Sequence, residues 1–221
     1  LVNKQDVECG KYNLWIGLSF GNPWFSKENL RDLIELGIKY TKSKLLVLLT
    51  GEIHAINLVA LDKIKKEKAI EISINEELIR RKEIEGILSE IGADMNKVTV
   101  ASYSDIVSEN FVMQRKAFEG EFEKRQEFYN EIIAIVAEYF EARGRTITKE
   151  RIDLAAKYVI NELPLFVDAV NCGGQSFNVL LYPGLGKIDL LVDKILSGDY
   201  FGDLKVRLKI VDISGIASVT I

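Results

Sequence analysis

The chain has 221 residues, of which 48% are hydrophobic and 28% are charged, with a formal net charge of -4. This composition is typical of a globular protein, and we expect one domain over residues 1–221. The acidic balance argues against a general nucleic-acid-binding protein, whose affinity comes mostly from neutralised phosphates. No apolar run has the length of a membrane span, and the first residues show no signal-peptide pattern, so a cytoplasmic protein without membrane contact is expected.

Cysteine and histidine usage predicts no metal site. Cys9 and Cys172 form no C-x-x-C pair, and His54 is the only histidine. These residues cannot supply a typical zinc ligand set, so no metal is expected. A lone histidine such as His54 is more often a structural residue than a ligand.

The stretch Leu14–Leu18 is short, apolar and followed by Gly-Asn-Pro, which predicts a buried strand that ends in a turn. Ser19 stands at the carboxyl end of this strand, where open parallel α/β sheets bind their ligands. Gly17 removes a side chain beside it. Ser26 is placed to cap a helix whose apolar face begins at Leu30.

The remaining pattern alternates strands with helices and predicts an α/β fold with a parallel sheet. Strands are expected over Lys44–Thr50, Lys97–Ser102 and Phe177–Tyr182, with an edge strand over Leu204–Ile210. Helices are expected over His54–Lys66, from an Asn75 cap to Gly92 with Leu78 and Ile79 buried, over Asp105–Arg143 with a break at Gly120 and the mixed-charge run Glu121–Glu127, over Lys149–Leu163 ended by Pro164, and over Leu185–Leu196.

A second stretch places a phenol and a carboxylate together. Tyr158 and Glu162 are four residues apart, so they stack on one helix face and can point into the same cavity. The alternative is a surface tyrosine above an exposed glutamate. Tyr182 ends a later strand, at the same rim of the sheet as Ser19.

Residues 17–21 read Gly-Leu-Ser-Phe-Gly, a literal G-x-S-x-G, which suggests the nucleophile elbow of a serine hydrolase or esterase of α/β type. The remaining triad argues against it. Asp32 is the only aspartate between Ser19 and His54, so the triad would have to fit within the first two strand-helix units. A nucleotide-binding module is also disfavoured, because no G-x-G-x-x-G follows the first strand.

The segment 63–82 carries seven basic and four acidic side chains despite the acidic net charge. Arg80, Arg81 and Lys82 are consecutive within it. Such a run is usually a solvated helix face with interspersed ion pairs, and the alternative is a local phosphate-binding patch.

Three motifs in order resemble the tRNA-dependent cyclodipeptide synthases: Gly17-Leu18-Ser19 with Asn22, the run Tyr158-Val-Ile-Asn-Glu162-Leu-Pro, and the rim residue Tyr182. The resemblance covers nearly the whole chain. It implies a Rossmann-like parallel sheet flanked by helices, similar to the catalytic domain of class I tyrosyl- and tryptophanyl-tRNA synthetases. Pro183, after the rim tyrosine, resembles the Pro-bearing subfamily, whereas Asn22 is typical of the other.

The resemblance also implies a ping-pong reaction that makes a cyclic dipeptide from two aminoacyl-tRNAs per cycle, without a cofactor. Ser19 would carry first an aminoacyl and then a dipeptidyl group, because an aminoacyl ester is already activated and a serine can attack it without a histidine. Tyr158 and Glu162 would hold the substrate ammonium, and Tyr182 would help to relay a proton. The substrate pocket would be lined by Trp15, Gly17, Asn22, Leu165 and Leu180, and tRNA would meet Arg80, Arg81 and Lys82.

Overall fold

The computed structural model describes residues 2–141, 144, 148–184, 186–198, 202–210 and 215–218. The helices are α1 Lys4–Glu8, α2 Lys27–Tyr40, α3 Gly51–Asp62, α4 Lys66–Glu90, α5 Glu109–Lys124, α6 Gln126–Glu141, α7 Lys149–Val167, α8 Lys187–Ser197 and α9 Gly202–Arg207. The strands are β1 Leu14–Leu18, β2 Leu45–Leu49, β3 Val98–Ser102, β4 Val170–Cys172, β5 Gln175–Phe177, β6 Val179–Tyr182 and β7 Gly215–Ser218.

Five strands form one sheet in the order β3-β2-β1-β6-β7, and every neighbouring pair is parallel. The predicted parallel α/β architecture is therefore confirmed. Side chains alternate between two cores. Trp15 and Leu46 pack with α3 and α5 to α9 on one face, whereas Ile16 and Val47 pack with α2 and α4 on the other. Because both faces are covered, the central strands are apolar throughout.

The amino-terminal half follows the sequence pattern closely. Ser26 caps α2 and accepts a hydrogen bond from the amide of Asn29 at 3.3 Å. The strand predicted over Lys44–Thr50 is β2, and the strand predicted over Lys97–Ser102 is β3. The sheet edge that carries the predicted serine is thus built from elements that local pattern alone indicates.

The prediction for α4 was wrong at its start and in its buried stripe. The helix begins at Lys66, so Asn75 lies inside it rather than at a cap. Leu78 and Ile79 are 52% and 65% exposed, because the first half of the helix packs on α3 through Ala69 instead. When a helix carries apolar residues on both sides, the elements packed against it decide which side is buried.

The long helical region divides at Arg125, whose backbone is extended. This break lies within the mixed-charge run Glu121–Glu127, as predicted, whereas Gly120 lies inside α5. The predicted end of the next helix was wrong. Helix α7 continues through Pro164 to Val167. Leu163, Leu165 and Val167 are all buried, so packing of the last turn compensates for the backbone hydrogen bond that proline cannot make.

The carboxyl-terminal third departs most from the prediction. Phe177 belongs to a short hairpin of β4 and β5, and the sheet strand is only Val179–Tyr182. The stretch predicted as an edge strand forms α9, because Leu204 and Leu208 are four residues apart and both fully buried. In the parts of the chain described above, no helix is both long and apolar enough to cross a membrane.

Candidate active site

Ser19 directly follows β1 and opens a tight turn at the carboxyl edge of the sheet. The amide of Asn22 donates to the Ser19 carbonyl at 3.2 Å, which closes the turn. Gly21 has a φ of 75°, a left-handed conformation that a side chain would strain. Asn22 then accepts a hydrogen bond from the Trp24 amide at 3.0 Å. The loop is therefore braced by its own backbone and by one asparagine.

The Tyr182 hydroxyl joins this loop to the neighbouring strand. Strand β6 pairs with β1, which brings Tyr182 to the rim beside Ser19. Asn22 Nδ2 donates to the Tyr182 hydroxyl at 3.4 Å, and Ser19 lies close enough to the same hydroxyl to affect its pKa. Burial raises the pKa of Tyr182, and Asn22 and Ser19 partly offset that rise. The serine hydroxyl thus has a phenol as its direct neighbour.

Tyr158 and Glu162 meet as their spacing predicts. The Tyr158 hydroxyl donates to Glu162 Oε1 at 2.6 Å on the inner face of α7. Burial raises the pKa of Glu162 to about 7, although the bond from Tyr158 acts in the opposite direction. The pKa of Tyr158 is raised too, mainly by burial and then by Glu162, so the phenol stays a donor. This pair is not the exposed surface pair of the alternative reading.

These groups share one cavity of about 340 Å³. Ser19, Tyr158, Glu162 and Tyr182 line it. Its apolar wall includes Trp15, Gly17, Leu165 and Leu180, which the sequence prediction named for the pocket. Asn22 supports the loop beside the cavity and is not part of its lining. The cavity can therefore hold an apolar group beside the Ser19 hydroxyl. The Glu162 carboxylate and the Tyr158 phenol can bind a cation there.

Sequence reasoning missed six polar residues of the cavity: Thr50, Asn57, Glu138, Tyr139, Lys187 and Asp189. The Thr50 hydroxyl donates to the Leu18 carbonyl at 2.7 Å and so supports the backbone next to Ser19. Asn57 is 2% exposed within the apolar helix α3, and a polar residue in such a stripe is the signal that could have identified it. Tyr139 lies in a long helical pattern that offers no comparable signal.

A hydrolase triad is not assembled. The ring of His54 packs against Phe20 at 5.6 Å, and its Nε2 lies 3.2 Å from Glu76 Oε2. Asp32, the only aspartate between Ser19 and His54 in sequence, is exposed on α2. The histidine thus braces the back of the serine loop. Within the described residues, no group of three or more His, Cys, Asp and Glu could hold a metal ion.

The predicted basic patch lies on α4, and its arginines have partners inside the protein. Arg80 pairs with Glu83 at 2.6 Å. Arg81 donates to the Val100 carbonyl at 3.1 Å and to Ser102 Oγ at 2.9 Å, which ties α4 to the carboxyl end of β3. Lys82 is exposed. The three residues are therefore not equivalent in their freedom to meet a ligand.

Comparison with known proteins gives the same picture of the fold. A structure from Bacillus thermoamylovorans, a cyclodipeptide synthase, aligns with a TM-score of 0.77 and 22% identity over 98% of this chain and 93% of that one. A Mycobacterium tuberculosis structure, described as demonstrating that cyclodipeptide synthetases are related to type I tRNA synthetases, aligns at 0.69 and 18% identity over 83% and 78%. These likenesses confirm the Rossmann-like fold.

A third structure, a cyclodipeptide synthase from Candidatus Glomeribacter gigasporarum bound to Phe-tRNAPhe, aligns at 0.54 and 18% identity over 85% of this chain and 84% of that one. A search of the curated proteins found no match. The model of the cyclodipeptide synthase family matches residues 7–195. Since that match spans most of the sequence, including every motif at the cavity, the chain belongs to the cyclodipeptide synthase family.

Proposed function

We propose that this enzyme joins the aminoacyl groups of two aminoacyl-tRNAs into a cyclic dipeptide, through aminoacyl- and dipeptidyl-serine intermediates on Ser19. The observation that carries the proposal is the shared cavity: a serine next to a phenol at one edge, and a hydrogen-bonded Tyr–Glu pair on its wall. The family relative bound to Phe-tRNAPhe supports the choice of substrate. Because Pro183 follows Tyr182 in this chain, membership of the Pro-bearing subfamily is part of the proposal.

In the first step the Ser19 hydroxyl oxygen attacks the ester carbon of an aminoacyl-tRNA. The serine ester forms, the bond to the terminal ribose breaks, and the serine proton passes to the departing ribose oxygen. The position of the Tyr182 hydroxyl beside Ser19 in the same cavity supports Tyr182 as the relay for that proton. Because the substrate is an activated ester, no histidine base is required.

In the second step the amino group of the aminoacyl-serine attacks the ester of a second aminoacyl-tRNA. A peptide bond forms and the second tRNA leaves. The new terminal amine then attacks the serine ester, which closes the ring and frees Ser19. Holding the two acyl groups together supplies much of the acceleration.

Glu162 has two roles in this scheme. As a carboxylate beside the Tyr158 hydroxyl it holds the substrate ammonium in a charge-assisted bond. Its pKa of about 7 also suits a base that accepts a proton from that ammonium, since a catalytic group works best when its pKa is near the operating pH.

The tRNA contacts at Arg80, Arg81 and Lys82 remain a prediction. Arg81 lies at the end of β3, at the same carboxyl edge of the sheet as Ser19. A polyanion that delivers its aminoacyl end to the cavity would pass over this edge. Lys82 can contact a phosphate without breaking an internal bond, whereas Arg81 would have to leave Val100 and Ser102.

The proposal is tested by trapping the intermediate. Incubation with radiolabelled aminoacyl-tRNAs should label the wild-type protein covalently, and Ser19→Ala should carry no label and make no cyclic dipeptide. The matched control is Ser26→Ala, which removes a hydroxyl from the same segment at the cap of α2 and should still be labelled. Label retained by Ser19→Ala would place the nucleophile elsewhere.

A further inference from the structure

One buried polar group of the cavity has no task in the proposed reaction, the side-chain amide of Asn57. This residue lies on α3, lines the cavity and is 2% exposed. Within the described part of the chain, no group donates a hydrogen bond to its Oδ1. A buried amide oxygen without a partner is costly, so such a group in a native protein requires an explanation, and a ligand that enters the cavity is one.

The other end of the amide contacts the wall of the cavity. Asn57 Nδ2 donates to the Tyr139 hydroxyl at 3.1 Å. The Tyr139 ring in turn stacks on Tyr158, with centroids 6.3 Å apart and planes 23° apart. Asn57 is therefore connected through two rings to the Tyr158–Glu162 pair, and with Nδ2 bonded to Tyr139 its Oδ1 is the atom left for another donor.

The position of Asn57 says which part of a substrate can reach it. Thr50 precedes Asn57 by two helical turns, both residues line the cavity, and about 10 Å of helix separates them. Thr50 lies at the serine end, since its hydroxyl contacts the carbonyl that precedes Ser19. A substrate group that reaches Asn57 from Ser19 must therefore stand near the end of a long side chain.

The chemistry of the acceptor limits that group further. An amide oxygen requires a donor, and the partner already bound to Asn57 is the neutral Tyr139 hydroxyl. A buried cation would need an anion beside it. Glu162 is taken by the substrate ammonium in the proposed function, and of the other carboxylates that line the cavity, Glu138 pairs with Lys187 at 3.6 Å and Asp189 accepts a hydrogen bond from the Gly186 amide at the start of α8. The donor is thus a neutral hydroxyl or N–H.

We propose that Asn57 is a specificity-determining residue, whose Oδ1 accepts a hydrogen bond from a neutral donor near the end of a long aminoacyl side chain. The inference rests on the proposed function and narrows its substrate class. Apolar pockets discriminate weakly against a missing or extra group, whereas a buried acceptor left unpaired discriminates strongly.

The test compares tRNAs whose aminoacyl groups differ by one donor. Purified enzyme is offered tyrosyl- and phenylalanyl-tRNA in competition, and separately glutaminyl- and methionyl-tRNA, and the label on Ser19 is measured for each. The wild type should prefer the donor-bearing member of one pair by about tenfold or more. Asn57→Leu, which is similar in size, should bring that ratio to about one while the apolar member still labels the enzyme.

Asn57→Asp is the matched control, because it keeps an acceptor oxygen at the same place and should keep the preference for the donor. Circular dichroism checks that each variant folds. A wild type with no preference in either pair, or a preference unchanged in Asn57→Leu, would overturn the inference alone. No label on the wild type from any aminoacyl-tRNA would instead overturn the proposed function.

Discussion

The serine edge of the sheet and helix α4 differ in how their functional candidates are held. At the serine edge, Ser19, Tyr158, Glu162 and Tyr182 converge on one cavity as their positions in strands and helix predict. On α4, two of three basic residues are bonded within the protein, and apolar residues such as Ile79 face outward. Strand ends are placed by the backbone of the sheet, whereas the use of a helix face depends on what packs beside it.

The largest effect at the serine edge is expected when the charge of the Tyr158–Glu162 pair is removed. Glu162→Gln keeps the shape and removes the anion, so cyclic dipeptide formation should fall about ten- to a hundredfold, as expected for a lost charge-assisted bond of about 1.5–3 kcal/mol. Tyr158→Phe should reduce cyclic dipeptide formation less, because it removes only a neutral hydrogen-bond donor. Product is measured by mass spectrometry, with circular dichroism as the check on folding. A Glu162→Gln variant at the wild-type rate would mean that the carboxylate does not hold the ammonium.

The pH profile tests the same group without changing its shape. The pKa of Glu162 is raised to about 7, so the carboxylate form becomes dominant above that pH, and kcat/KM should rise about tenfold per pH unit below 7. Glu162→Gln should flatten this limb of the profile. A rise near pH 7 that persists in Glu162→Gln would assign the titration to another group.

The raised pKa also has a consequence for stability, with a defined sign. The folded protein binds more protons at Glu162 than the unfolded chain does between pH 4.5, the ordinary pKa of a glutamate, and about pH 7. The contribution of this group to the free energy of unfolding therefore decreases as pH rises through that window. Urea denaturation at pH 5 and pH 8 should show a smaller decrease for Glu162→Gln than for the wild type. An equal decrease would contradict the assigned shift.

On α4 we expect that substituting Arg81 lowers the stability of the protein more than its affinity for tRNA. Arg81→Ala removes the bonds to Val100 and Ser102, and because the side chain is partly exposed the free energy of unfolding should fall by only about 1–2 kcal/mol. Urea denaturation measures it, and Arg80→Ala, which loses one ion pair at a similarly exposed position, is the control. If Arg81→Ala is as stable as the wild type, Arg81 has no role in stability and can act in tRNA binding alone.

The smallest effect concerns Lys82. Lys82→Ala should change stability by less than about 0.5 kcal/mol, yet lower the slope of log affinity against log salt for aminoacyl-tRNA by about one. Filter binding over a range of salt concentrations measures the slope. An unchanged slope would mean that Lys82 contacts no phosphate and is only part of the solvated helix face that its mixed-charge surroundings suggest.

The same physics explains how far sequence reasoning reached. The turn after β1 is predictable because Gly21 and Asn22 encode it locally, and the Tyr158–Glu162 pair because four residues always share a helix face. Helix α9 was misread as a strand because alternating basic residues masked the spacing of Leu204 and Leu208.

Cavity residues contributed by distant elements are harder still to predict. Asn57 reaches the cavity only because α3 packs on α7, and Tyr139 meets it from α6. Asn57 stands out as a polar residue in an apolar helix, but neither helix indicates by itself which residue of the other it contacts. The candidate residues at the rim are thus encoded by short local motifs, whereas the deep wall of the cavity depends on tertiary contacts.

Gly17 and Trp15 together set a rule for redesigning this pocket. A Cβ on Gly17 would lie 3.1 Å from Cζ3 of Trp15, whose ring is 1% exposed. The indole therefore fills the space that a larger residue at 17 would need, and the two positions form one volume rather than two independent sites. A library that varies residue 17 alone will meet steric conflict, whereas one that pairs a larger residue there with a smaller ring at 15 can move the pocket wall.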